Sequence, residues 1–436
     1  MKKVRERVEE FLSGQGMFHG DISIEDTCGV FLSEMDRGLA GEKSSLAMLP
    51  TYIETERELP RDKPVIVMDA GGTNFRVATV TFPREGKPEI ADFEVYAMPG
   101  IATEVGKDEF FGTMAGYIRD LADNSDNVGF CFSYPIEMFP SKDGRALYFS
   151  KEIKAPEAAG QMIGESMGRA LRDMGVRGDK QFVLLNDTVA TLLAGRGQAG
   201  GRNFDSYIGF ILGTGTNTAY VEQNSNIGKA KDLDPNKSQI INVESGGFGK
   251  APRGKIDEAF DAASISPGVN VFEKMISGAY LGPLCLATIQ AAANDGLFSK
   301  KAAEQLAKIQ RAETKDISLF LASPEGSDNI LAKAIQGAEA QDMATLSCLV
   351  GAVVERAAKL TAINLSSAVL KSGKGQDPKR PVCIVAEGTT FYKLHGLQST
   401  IESYLKQYLD QKGRYCEIIS VEDATLIGAA IAGLTN

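Results

Sequence analysis

Basic residues are in deficit: 47 lysines and arginines face 57 aspartates and glutamates, for a formal charge of −10 at neutral pH. A general nucleic-acid binder neutralises phosphates with a basic surface, so this balance argues against one. It leaves room for a phosphate-bearing ligand, because backbone N–H groups and a metal ion can hold one without excess cation. Histidine and cysteine are scarce too. Two histidines and six cysteines (Cys28, Cys131, Cys285, Cys348, Cys383, Cys416), with no C-x-x-C pair, argue against a zinc site. No stretch approaches the ~18 to 20 uninterrupted apolar residues of a membrane-spanning helix. Acidic residues interrupt the amphipathic segment after Met1 before the apolar core of a signal peptide can form. The expectation is a soluble, cytoplasmic protein acting on small molecules, with no nucleic-acid and no membrane partner.

What is present reads as globular and α/β. A chain of 436 residues exceeds the size at which one hydrophobic core usually stops growing, so two domains with a cleft between them are expected. Val4, Val8, Phe11 and Leu12 share one helical face, and a second helix is expected around Ile22 to Leu39. From Pro64 the texture turns to strand: Val65-Ile66-Val67-Met68, a turn Asp69-Ala70-Gly71-Gly72-Thr73-Asn74, then Phe75 to Phe82. The same design returns where Ile208 to Leu212 runs into Gly213-Thr214-Gly215-Thr216-Asn217, and the shared Gly-Thr-Asn ending predicts two lobes of related architecture. Asn127 to Phe132 and Gln181 to Leu185 read as buried strands joined by a helix over Ala158 to Met174. Residues beyond Phe248 read as mostly helical to about Ala368, then a strand Val382 to Ala386 and a small-residue helix Ala424 to Leu434.

Glycine-rich turns let backbone N–H groups encircle phosphate oxygens, because no Cβ stands in the way. Taken alone, a turn of this kind is more often simple punctuation between strands. Asp69, at the end of a buried strand beside the first turn, suits a magnesium ion or its coordinated water, and Leu212 stands in the equivalent place of the second. Arg76 either lies over a phosphate or forms a cross-strand ion pair. The second turn lacks the third glycine of a dinucleotide fingerprint and leads into a strand, which argues against NAD. Gly249 to Lys255 has Walker-like spacing, but Ile256 replaces the magnesium-binding hydroxyl.

Asn186-Asp187-Thr188 follows an apolar strand and precedes a helix over Val189 to Ala194, a placement that suits either a cap or a functional crevice. A helix N-terminus is expected to lower the Asp187 pKa, making it a weak base whose value in phosphoryl transfer would be geometric. Ser133, Ser150, Lys151, Asn217, Asn242, Glu244 and Glu273 are of the types that bind sugar hydroxyls; taken singly, residues of these types are more often solvated surface residues, and composition alone does not select them.

Together these segments resemble the hexokinase family. Asp69-Ala-Gly-Gly-Thr-Asn-Phe-Arg76 and Gly213-Thr-Gly-Thr-Asn217 resemble its two phosphate motifs, and Phe132-Ser133-Tyr134-Pro135 and Asn186-Asp187-Thr188 its sugar-binding and catalytic ones. Asn242-Val-Glu244-Ser-Gly246 and Glu273-Lys-Met-Ile-Ser-Gly278 are similar to further sugar-binding stretches, and Glu387-Gly388-Thr389-Thr390-Phe391-Tyr392-Lys393 to the adenosine motif. The resemblance implies a two-lobed, actin-like (ribonuclease-H-like) α/β fold. It implies transfer of the γ-phosphate of ATP, with Mg2+, to the 6-hydroxyl of glucose, and of mannose or fructose in second place, as the first step of glycolysis. In that picture Asp187 is the base and Lys151 steadies the phosphoryl charge. Ser133, Ser150, Lys151, Asn186, Asp187, Asn217, Asn242, Glu244 and Glu273 hold the sugar. Asp69, Gly71, Gly72, Thr73, Asn74, Arg76, Gly213, Thr214, Gly215, Thr216, Gly388, Thr389 and Lys393 hold the nucleotide, and Asp69 positions the metal.

The chain departs from the family pattern in several places. It has no tryptophan: Phe149 and Ser245 stand where the family usually has one. Ser150 replaces a usual threonine and Glu387 a usual aspartate, which bears on donor preference. The expected small lobe is 62–185 plus 424–436 and the large lobe 1–61 plus 186–423, as a monomer or homodimer. The alternatives are a kinase of the same fold acting on mannose, fructose or an amino sugar, and a hexose sensor with residual activity.

Overall fold

The computed structural model describes residues 2–149, 153–197, 202–326 and 328–436. Its strands in chain order are β1 (Leu49–Pro50), β2 (Pro64–Gly71), β3 (Asn74–Thr81), β4 (Glu89–Ala97), β5 (Asn127–Phe132), β6 (Ile136–Met138), β7 (Gly144–Ala146), β8 (Gln181–Leu185), β9 (Ser206–Leu212), β10 (Thr216–Gln223), β11 (Ser238–Asn242), β12 (Val382–Glu387) and β13 (Cys416–Ile419). One sheet has the order β4-β3-β2-β5-β8, the other β1-β11-β10-β9-β12-β13, and β6 pairs with β7 alone.

The two large sheets repeat one plan. In each, an antiparallel hairpin (β2–β3, β9–β10) carries a third antiparallel strand on its outer side (β4, β11) and two parallel strands on its inner side (β5 and β8, β12 and β13). This agrees with the related architecture that the two Gly-Thr-Asn turns predict. In each, the last parallel strand leads into a helix, Asp187–Gly197 after β8 and Ala424–Thr435 after β13.

These two helices pack on each other and fill the space between the sheets. Their buried face is contiguous with Val65, Val67, Cys131 and Val183 of the first sheet and with Ala219, Ile240, Cys383 and Val385 of the second. The opposite face of the first sheet buries Ile66, Met68, Phe130 and Phe132 under helices Lys107–Ile118 and Ile163–Asp173. The opposite face of the second buries Ile208, Phe210, Tyr220 and Ile384 under the long helix Ala340–Ser372 and the N-terminal helices, where Val4, Val8, Phe11 and Leu12 face inward as their spacing predicts. Because β2 and β9 are covered on both faces, their sequences are continuous apolar runs rather than alternating ones.

The helix expected over Ala158 to Met174 is shorter. Gly160 takes φ +81, a left-handed conformation that breaks the run, so the α-helix begins only at Ile163. The Asp187 helix starts earlier than expected, with Asp187 itself as its first residue. Among the described residues no helix is long and apolar enough to cross a membrane.

Candidate active site

The first turn closes between Gly71 and Asn74, with Gly72 at φ +59. Its carbonyls face the protein: Tyr134 donates its hydroxyl to Gly72 O at 2.6 Å, and Met98 N–H donates to Thr73 O at 3.0 Å. Asp69 lies directly across the ladder from Arg76 and is 2% exposed. Its Oδ2 accepts from Arg76 and, at 2.8 Å, from Thr425 Oγ1 on the C-terminal helix. Arg76 therefore makes the cross-strand ion pair. A Cβ on Gly71 would lie 3.6 Å from Ser133 Oγ and 3.9 Å from Asp69 Oδ1, so glycine keeps the space between these groups open.

Asn186 stands in the capping position of the helix that Asp187 opens. Asp187 Oδ1 accepts from Thr188 N at 2.6 Å and Thr188 Oγ1 at 3.1 Å, and Asn186 Oδ1 accepts from the same N–H at 2.8 Å. The expectation of a lowered pKa is overturned. Burial pushes the carboxyl up to about 6, outweighing the Thr188 hydrogen bonds, and the negative charges of Asp69 and Glu244 push the same way.

Asn217, Asn242 and Glu244 form a closed triangle. Asn217 Nδ2 donates to Asn242 Oδ1 at 2.8 Å and to Glu244 Oε1 at 3.2 Å, and Asn242 Nδ2 donates to Glu244 Oε1 at 2.8 Å. Glu244 adopts φ +56, a strained conformation for a non-glycine residue. Glu273 opens a short helix and accepts Thr216 N–H at 3.0 Å; a Cβ on Gly215 would fall 2.6 Å from its Oε2. Burial raises the carboxyls of both Glu244 and Glu273. Ser150 and Lys151 lie outside the described residues. Phe149, just before them, packs against Phe132 and Tyr134.

The second turn joins the adenosine-like motif. Gly213 O accepts from Gly278 N at 2.8 Å and from Thr390 Oγ1 at 2.8 Å. Gly388 has φ +111, and a Cβ there would sit 2.3 Å from Leu212 O, so only glycine fits. Gly213 N–H is bonded to Gly215 O and Thr216 N–H to Glu273, which leaves the turn's Thr214 and Gly215 as the positions whose amides carry no such bond among the described residues. Beside this turn opens a cavity of about 850 Å³, lined by Thr214, Gly278, Ala279, Thr389 and Lys393 together with residues 311–315, Ser318 and Leu319. Arg311, Lys315 and Ser318 carry no signal in the sequence: they fall in a helical region without glycine punctuation. Thr425 is hidden for a similar reason, as one hydroxyl in a helix of small apolar residues.

Two sheets share one plan, each ending its central hairpin in a glycine turn, and the charges of Asp69 and Glu244 act on Asp187. Hexokinase family models match residues 20–196 and 207–435. Hexokinase-5 of Oryza sativa is 29% identical over 93% of this chain and 85% of its own length, and Hexokinase-2 of the same species is 30% identical over 91% and 85%. The structure of a Schistosoma mansoni hexokinase complexed with glucose superposes with a TM-score of 0.76 at 24% identity, covering 100% of this chain and 99% of that one. The chain belongs to the hexokinase family, the sugar-phosphorylating kinases, and has their actin-like fold.

Proposed function

We propose that this protein transfers the γ-phosphate of Mg-ATP to the 6-hydroxyl of glucose, or of a hexose close to it such as mannose or fructose. The observation that carries the reading is Asp187: a carboxyl raised to about 6 at a helix start, beside Asp69 and Glu244, is matched to taking a proton near neutral pH. Asn217, Asn242, Glu244 and Glu273, with Ser133, Ser150 and Asn186, would hold the sugar hydroxyls. The hydrogen bonds among Asn217, Asn242 and Glu244 fix the orientation of these three before any ligand arrives. Asp187 Oδ2, the oxygen not bonded to Thr188, would receive the proton of the attacking hydroxyl. Lys151 would offset the charge on the transferring group.

The first turn with Thr214 and Gly215 of the second would hold the phosphates, and the cavity beside Thr389 and Lys393 the adenosine. Asp69 fits a magnesium site, since Oδ2 is held by Arg76 and Thr425 while Oδ1 faces the open space at Gly71. A single carboxylate plus phosphate oxygens is a set magnesium commonly uses, and the bound ion supplies charge neutralisation to the phosphates. We further propose that residues 62–185 with 424–436 close toward the remainder when sugar binds, excluding water as a competing acceptor.

The test is incubation of the protein with Mg-ATP and glucose, mannose or fructose, with ADP and sugar phosphate measured by mass spectrometry. Sugar phosphate is expected, with ATP hydrolysis slow when sugar is left out. ADP forming equally fast without sugar would defeat the proposal. Tyr134→Phe removes one hydrogen bond to the first turn, worth about 1 kcal/mol. The KM for ATP should rise roughly fivefold while that for sugar holds; steady-state kinetics would show it.

A further inference from the structure

Helix Ala340–Ser372 is buried along most of its length, and several of its interior hydroxyls bond to their own helix. Thr361 Oγ1 donates to Ala357 O at 2.9 Å and Ser367 Oγ to Ile363 O at 2.8 Å. Asn364, fully buried between them, does otherwise: its Nδ2 leaves the helix and donates to Thr218 Oγ1 on β10 at 2.8 Å. Its Oδ1 has no partner among the described residues, an unfavourable condition for a buried amide. A leucine would satisfy the packing of this position with no such cost.

The contact leads to the sugar triangle. Thr218 Oγ1 lies 3.1 Å from Ser245 Oγ, and both residues are fully buried. The backbone N–H groups of these two residues converge on one acceptor, Asn217 Oδ1, at 2.7 Å from Thr218 and 3.3 Å from Ser245. Fixing that oxygen fixes the amide plane, and therefore aims Asn217 Nδ2 at Asn242 and Glu244. Ser245 also follows Glu244 directly, so its position limits where the strained Glu244 can turn. The last step of the link is a contact between two hydroxyls, which a side chain at 245 without one could not make.

Resting on the sugar-site reading above, we propose that Asn364 is a positioning residue of that site, acting through Thr218 and Ser245 on Asn217, Asn242 and Glu244. Residues linked in one hydrogen-bond chain act as a unit, so their removal should not be additive. Asn364→Ala is expected to raise the KM and the calorimetric Kd for glucose about tenfold, leaving kcat and the KM for ATP within about twofold. Adding Ser245→Ala to it should cost little more. Thr218→Val, which breaks the chain in its middle, should reproduce the same split and serves as the deciding variant if Asn364→Ala does not fold. A folded variant whose glucose KM stays near wild type, or one in which both KM values rise together, overturns the proposal. Wild type that binds none of glucose, mannose and fructose would overturn the sugar-site reading instead, which separates the two failures.

Discussion

Asp187→Ala should lower kcat by about 10²- to 10⁴-fold, the range over which a positioned acid or base contributes to a rate. Glucose binding should persist, because the Asn217–Asn242–Glu244 triangle is bonded without Asp187. Isothermal calorimetry beside single-turnover kinetics would separate the two; a loss of binding as large as the loss of rate would make Asp187 a sugar ligand rather than the base. In wild type the raised pKa sets the pH profile. The carboxyl must be ionised to accept a proton, so kcat/KM should fall tenfold per unit below pH about 6 and level off above it. An inflection near the ordinary aspartate value of about 3.9 would refute this.

The raised pKa also has a cost for folding. The native state holds the Asp187 proton up to about pH 6, whereas the unfolded chain releases it near 3.8, as an ordinary aspartate does. Between those values the native state binds more protons, so stability falls as pH rises through that window. Above it the ionised, half-buried carboxylate opposes folding. Asp187→Asn should therefore stabilise the inactive protein at pH 8 and give little at pH 3.5. The gain is up to about 3 kcal/mol, since each pH unit between the two values is worth about 1.4 kcal/mol. Urea titrations at the two pH values would check it.

The hairpins were legible because their turns need glycine and their strands are unbroken apolar runs. Asn127–Phe132 and Gln181–Leu185 fall on the expected residues for the latter reason. The strand Glu89–Ala97 was not legible: it sits at a sheet edge with Phe93 and Val95 exposed, so it has no buried face to impose a pattern. The acidity of Asp187 was misjudged because local sequence shows the helix start and hides the burial, which comes from elements distant in the chain. Thr425 and Asn364 belong to the same class. Each lies in a helix whose neighbours read as core, and only the fold reveals that its polar atom points at Asp69 in one case and Thr218 in the other.

Gly428→Ala should be among the most destabilising single-methyl changes in the molecule. A Cβ at Gly428 would stand 1.9 Å from Ala190 O and 2.6 Å from Ala190 Cα, so backbone, with no flexible side chain to yield, is in the way. This is where helix Ala424–Thr435 crosses helix Asp187–Gly197 between the two sheets, and relief requires moving one helix off the other. Overpacking of this kind costs about 3 kcal/mol, or more where nothing can give. Gly351 supplies the contrast: it lies within the long helix, and a methyl there would meet nothing within 4 Å, so Gly351→Ala should stabilise by up to about 1 kcal/mol. Chemical denaturation of both variants would test the pair, and similar midpoints would count against both expectations. The crossing matters for chemistry because each helix begins at the active site, one at Asp187 and the other at Thr425 against Asp69. Any Gly428→Ala protein that still folds has displaced these two starts relative to each other. Its kcat should fall further than its affinity for either substrate, since the base and the phosphate turn would no longer be aligned.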